Sequence, residues 1–187
     1  MNVSTSRFGN VEIEDDRIIT FPSGLLGFAD CRQFALLQPN PEGAFFWLQS
    51  IERPELAFVV TDPGLFVTNY DVPLRQEQTE AIELSSVEDA QVLVIANRYG
   101  EFITGNLQGP LVVNVKSRLA QQLVLADQRW TTRHKLVATE DHVESSPDES
   151  DNGPPASMKL EAEHARQTDS SVSKGVDGLT SRRAASA

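Results

Sequence analysis

The chain has one cysteine, Cys31, so an internal disulfide is excluded. Histidine is nearly as scarce, and His134, His142 and His164 all lie where the apolar runs end or beyond. A Ser-His-Asp or Cys-His site needs its base held within about 3 Å of the nucleophile by rigid surroundings, which these positions do not offer. HExxH, CxxC and any group of His or Cys at ligand spacing are missing, which argues against zinc and against any other metal or cofactor. "SGLLGF" (23 to 28) is neither GxGxxG nor followed by Lys-Ser or Lys-Thr, so it is not a phosphate cradle. No apolar run approaches the roughly 18 residues of a membrane span. No basic-plus-apolar leader opens "MNVSTSRFGNVEIEDD" either, so the expected location is the cytoplasm and the sequon at Asn2-Val3-Ser4 carries no weight.

Aromatic residues are absent from the chain beyond Trp130. All nine Phe, both Trp and both Tyr fall between Phe8 and Trp130. From Asp141 to Ala187 the sequence is rich in Ser, Pro, Gly and charge, with too little apolar area to offset the entropy of ordering it. The expected organisation is therefore a folded domain over residues 1–140 and a disordered tail over 141–187. Bases are outnumbered throughout. The formal net charge of the chain is −11, with eighteen acids against eleven bases in residues 1–140. Such a surface repels phosphate backbones and steers toward basic partners, so direct nucleic-acid binding is not expected.

What is present is a series of short apolar runs. "VEIEDDRIITF" (11 to 21) alternates apolar and acidic residues, turns at Asp15-Asp16 and runs on to Phe21, which predicts a hairpin. "FALL" (34 to 37), "AFFWL" (44 to 48), "LAFVV" (56 to 60), "VLVIA" (92 to 96), "LVVNV" (111 to 115) and "LVLA" (123 to 126) predict strands, about eight in all. Turns at Asp62-Pro63-Gly64, Tyr99-Gly100 and Gln108-Gly109-Pro110 are too short for parallel crossovers, so the sheet should be mainly antiparallel. Only "VPLRQEQTEAIEL" (72 to 84) reads as a helix, with Pro73 in its first turn and Leu74, Ala81 and Ile82 facing inward. Runs that are apolar on both faces suit a small closed or nearly closed barrel, with a sandwich as the other all-β solution.

Four charged features remain. Asp15-Asp16 and Glu88-Asp89 read as solvated turns, with an acid–base pair or a cation site as the other reading, and Cys31 beside Arg32 reads as structural, with a reactive thiolate as the other. Glu77, Glu80 and Glu83 would line one side of the helix, either as a solvated face or as a dock for a basic partner.

"ITFPSGLLGF" (19 to 28), "FFWLQSIERPELAFVVTDP" (45 to 63), "ITGNLQGPLVVN" (103 to 114) and "QQLVL" (121 to 125) together resemble the bacterial flagellar assembly factor FliW family, from about residue 5 to residue 137. The resemblance implies a β-barrel-like protein without enzymatic activity that is a monomer when free. It also implies two protein partners: newly made flagellin, and CsrA, a small basic dimer that blocks ribosome access on flagellin mRNA. Flagellin held in the cytoplasm would occupy the protein, and exported flagellin would release it to capture CsrA from a surface beside the RNA groove. The partner-binding candidates within these stretches are Phe21, Leu25, Leu26 and Phe28 in the apolar loop, Gln49 and Asp62 at strand ends, Tyr70, and the amides Asn106 and Gln122. Each has a structural reading beside the functional one. Phe21 and Phe28 would plug a barrel end, the amides would bond loop backbone, and Leu25 and Leu26 stand between core and interface. The reading from another class is a small-molecule-binding barrel, or an enzyme on that scaffold, which needs a chamber with convergent polar groups.

Overall fold

A computed structural model describes residues 1–138, and the expected tail over 141–187 lies outside the described residues. The fold is all-β, with eleven strands, one α-helix and three short 3₁₀ turns. Strands β3 (Ile18–Thr20), β4 (Gln33–Leu37), β5 (Phe45–Ser50), β6 (Ala57–Thr61), β7 (Ala90–Tyr99), β9 (Leu111–Asn114) and β10 (Ala120–Gln122) pair in the order β10-β9-β7-β6-β5-β4-β3. Every ladder among them is antiparallel, as the short turns require. The long β7 is shared. Residues 90–93 pair with β9, and residues 96–99 pair with β8 (Phe102–Gly105), which in turn carries β11 (His134–Ala138).

The sheet curls toward a barrel without closing. The end of β3 reaches the residues just before β10, where the Thr20 N–H donates to the Arg118 carbonyl at 2.9 Å and Thr20 bridges Leu119 in parallel. Both faces of the sheet's central strands are covered, which is why their sequences do not alternate. Val92, Val94 and Val112 pack with Leu74, Ile82 and Trp130 on one side, while Leu93, Leu111 and Val113 pack with Phe21, Phe34, Leu48 and Val60 on the other. Each such large side chain stabilises the fold by about 1.5–3 kcal/mol relative to exposure.

Three elements differ from the sequence reading. The predicted hairpin over 11–21 does not form. Residues 9–12 become β2 (Gly9–Glu12) and pair backward with β1 (Asn2–Thr5) around a turn tied by the Thr5 hydroxyl, which donates to the Gly9 carbonyl and accepts from the Phe8 N–H. Asp15–Arg17 is a 3₁₀ turn, and β3 is free to pair with β4. The helix is shorter than residues 72–84: α1 runs Gln76–Ala81, and Ala81 is exposed. Val72 and Leu74 are both buried, which needs an extended backbone, because a helix would send residues two apart to different sides. Pro73 thus stands before the helix, and Gln78 caps it by accepting the Arg75 N–H at 2.8 Å. "LVLA" (123 to 126) is not a strand either, although Leu123 and Leu125 are buried and their N–H groups donate to Pro110 and Gln108. Proline has no N–H to return, so the ladder stops at Gln122.

Candidate functional site

The loop between β3 and β4 is built in two layers. Phe21 is fully buried and edge-on to Phe34, with ring centroids 5.5 Å apart, and Phe28 is edge-on to Phe58 at 5.4 Å. Leu25 is buried with them. Its backbone exchanges two hydrogen bonds with Phe28, the Phe28 N–H to the Leu25 carbonyl at 2.8 Å and the Leu25 N–H to the Phe28 carbonyl at 3.3 Å. Leu26 and Gly27 are the two residues this pairing leaves over. Gly27 has φ of +84°, as the third position of a type II turn requires. Gly24 is needed for a second reason, because a Cβ there would come within 2.6 Å of the Ala29 Cα and the Phe28 carbonyl oxygen.

The turn aims Leu26 outward. Leu26 is 62% exposed although Phe21, Leu25 and Phe28 of the same loop are packed. The position is fixed from behind by Gln122 on β10, whose side-chain oxygen accepts the Leu26 N–H at 2.9 Å while its amide nitrogen donates to the Gly109 carbonyl at 3.3 Å. An open groove of about 300 Å³ runs beside the turn, walled by Pro22, Leu25, Ala81, Ala120 and Gln121. A second, of about 530 Å³, lies along the other part of α1, between Pro73, Gln78, Val124 and Arg129. Both grooves share α1 and the segment 120–126 as walls, and Gln121 joins these by donating to the Gln78 carbonyl at 2.6 Å. Val124 is 70% exposed at the rim of the second. Asp71, Arg75, Asp127 and Arg129 add charge to the walls of the second groove. The arrangement offers fixed apolar side chains and open grooves, the features of a protein-docking face.

The remaining candidates lie in other surroundings. Gln49 is buried, and its amide nitrogen shares its two hydrogens among the carbonyls of Ser50, Arg53, Pro54 and Leu56, all within 3.3 Å, which holds the β5–β6 turn. Asp62 accepts from the Gly64 N–H at 2.7 Å and from Gln91 at 3.3 Å, capping the turn that follows β6. The Tyr70 hydroxyl donates to the Leu107 carbonyl at 2.6 Å, the ring lies edge-on to Trp130, and burial pushes its phenol pKa upward. Asn106 lies over Gly109, where a Cβ would approach its side-chain nitrogen to 2.6 Å. Gln122 and Leu26 are brought together, and Gly109 links them to Asn106.

Two further residues shape the face, Val124 on its rim and Asn114 buried behind it. Val124 lay in a run read as buried strand, and Asn114 is the polar break in "LVVNV". Asn114 is buried and donates to the carbonyls of Ile82 and Glu83, which end the helix, at 3.0 and 2.9 Å. A lone Asn in an apolar run was the available signal. At the end of the loop between β3 and β4, Glu52 of the β5–β6 turn anchors the start of β4. Partial burial raises its carboxyl pKa, but hydrogen bonds from the N–H groups of Gln33 and Arg32 and from the Ser50 hydroxyl outweigh this and hold it below the ordinary value.

Known proteins carry a similar sequence over the same region. A family model described as "FliW protein" matches residues 2–136. The flagellar assembly factor FliW of Geobacter sulfurreducens is 43% identical over 136 residues, 72% of this chain and 85% of that protein. The flagellar assembly factor FliW of Treponema denticola is 41% identical over 140 residues, 74% of this chain and 95% of that protein. Among solved structures, a crystal structure of the flagellar assembly factor FliW superposes with a TM-score of 0.67 at 33% identity, covering 73% of this chain and 96% of that one.

Proposed function

The chain belongs to the FliW family of flagellar assembly factors, and from that membership we propose that it works by binding rather than by catalysis, as a partner switch between flagellin and CsrA in the cytoplasm. In this reading the protein holds newly made flagellin until export, and the freed protein then captures CsrA and lifts its repression of flagellin translation. Output depends on the concentrations and affinities of the competing partners, so no reacting group is needed.

The observation that carries the reading is Leu26. A leucine held out of the core by a defined turn and a side-chain bond costs the free protein apolar exposure, which a partner recovers on docking. The grooves on either side of α1 extend the contact. Charge supports the choice of partner: a chain of net charge −11 attracts a small basic RNA-binding dimer and, once bound, disfavours phosphate nearby. The binding set is proposed as Leu26, Gln122 and Val124, with Phe21, Leu25 and Phe28 as its support.

The test is direct mixing. The purified chain is run on size exclusion with CsrA and with flagellin from the same organism at micromolar concentration. Co-elution with each partner alone, and loss of one complex when the other partner is in excess, is the expected result. Failure to co-elute with either overturns the reading.

A further inference from the structure

Far from the Leu26 turn in sequence, the β7–β8–β11 part of the sheet carries a surface of the opposite charge. Tyr99 pairs with Phe102 across β7 and β8, and Lys135 pairs with Thr104 across β11 and β8, so these side chains share one face of the sheet. Leu136 points to the other face and packs into the core over Gly105, where a Cβ would meet it at 2.9 Å. Arg133 and Lys135 are therefore both directed outward. The Arg133 guanidinium sits 5.0 Å from the centroid of the Tyr99 ring and the Lys135 ammonium 3.9 Å from that of Phe102. Tyr99 is itself 60% exposed. Among the described residues neither cation makes an ion pair, and β11 pairs with β8 alone.

A domain dominated by carboxylates would ordinarily neutralise two exposed cations with one of them. Here the rings hold the cations instead, which fixes their positions while leaving their charge unspent. Lys135 lies on the edge strand β11 and Arg133 in the turn that leads into it, two residues earlier, so an added strand running past the start of β11 would bring alternate side chains to both. Lysine on an edge also discourages random strand pairing, so the edge is guarded against apolar and basic strands and open to acidic ones. We propose that β11 takes an extended, carboxylate-bearing segment of a partner protein by strand addition, with acidic residues at alternate positions on Arg133 and Lys135. Single-stranded nucleic acid fits less well, because the rings that would stack on bases are already covered by cations and the chain as a whole repels phosphate.

The experiment uses the ¹⁵N-labelled full chain at low salt, titrated with a blocked decapeptide of alternating threonine and glutamate. Amide shifts confined to 133–138 and 102–105, and at least tenfold weaker binding by the Arg133→Glu/Lys135→Glu double variant, are expected. The threonine-glutamine peptide should bind at least tenfold more weakly than the glutamate one. Arg133→Gln and Lys135→Gln, which remove charge without reversing it, should each weaken binding severalfold with the spectrum otherwise unchanged. No shift on β11 at millimolar peptide, equal binding of the glutamine peptide, or tighter binding of an oligouridylate of equal charge would each overturn the proposal.

Discussion

The backbone N–H of Leu26 is bonded at 2.9 Å to the side chain of Gln122, 96 residues away in sequence. One polar contact thus sets the height at which the most exposed leucine of the apolar loop stands above the grooves beside α1. The two leucines of that loop have opposite fates, and the difference is testable.

Leu26→Asp should leave the fold intact, because only its backbone is bonded, while Leu25→Asp should cost more than about 4 kcal/mol by placing a charge in the core. Thermal unfolding of the two variants side by side checks this. Equal melting temperatures would mean that the turn does not divide core from surface.

Gln122→Ala should loosen the turn without unfolding the domain. It removes the acceptor for Leu26 and the donor to Gly109, each worth about 1 kcal/mol. Hydrogen exchange at the Leu26 amide should speed up by roughly tenfold, the factor that about 1.4 kcal/mol of opening energy represents. Unchanged exchange would show that the contact does not hold the turn.

The two glycines of the loop should respond differently. Gly24→Ala meets backbone atoms at 2.6 Å as well as a φ of +67°, and should destabilise by about 2–5 kcal/mol. Gly27→Ala meets open space and pays only for its φ of +84°, about 1–2 kcal/mol. Denaturant midpoints should rank wild type, Gly27→Ala, Gly24→Ala in falling order.

Glu52 supplies a pH test. Its carboxylate is favoured by folding, so its contribution is complete above the unfolded-state value of about 4.3 and is lost as pH falls through the lower folded-state value. Glu52→Gln should therefore melt below wild type at pH 7, and the gap should narrow as pH drops below about 4. A gap that widens in acid would reverse the assignment.

Composition and periodicity made the all-β class, most strand positions and the antiparallel pairing legible, because runs such as "LAFVV" and "VLVIA" are apolar on both faces and bounded by strong turns. They failed where a choice depended on distant residues. Ile18 to Thr20 could pair with β2 or β4, and the Thr5 turn that commits β2 to β1 leaves little local trace. The end of β10 depends on a missing N–H at Pro110, a residue across the sheet. Of the loop residues, the glycines explained the turns, but which leucine faced outward needed the Leu25–Phe28 pairing and the Gln122 contact.

The central claim is that Leu26 at the tip of this turn is a docking residue of a binding protein. Titration calorimetry of wild type and Leu26→Asp against flagellin and against CsrA tests it most directly. Binding of both partners by wild type, with at least a tenfold loss toward one or both in a variant that melts like wild type, is the predicted result. A folded Leu26→Asp protein that binds both partners as tightly as wild type would contradict it.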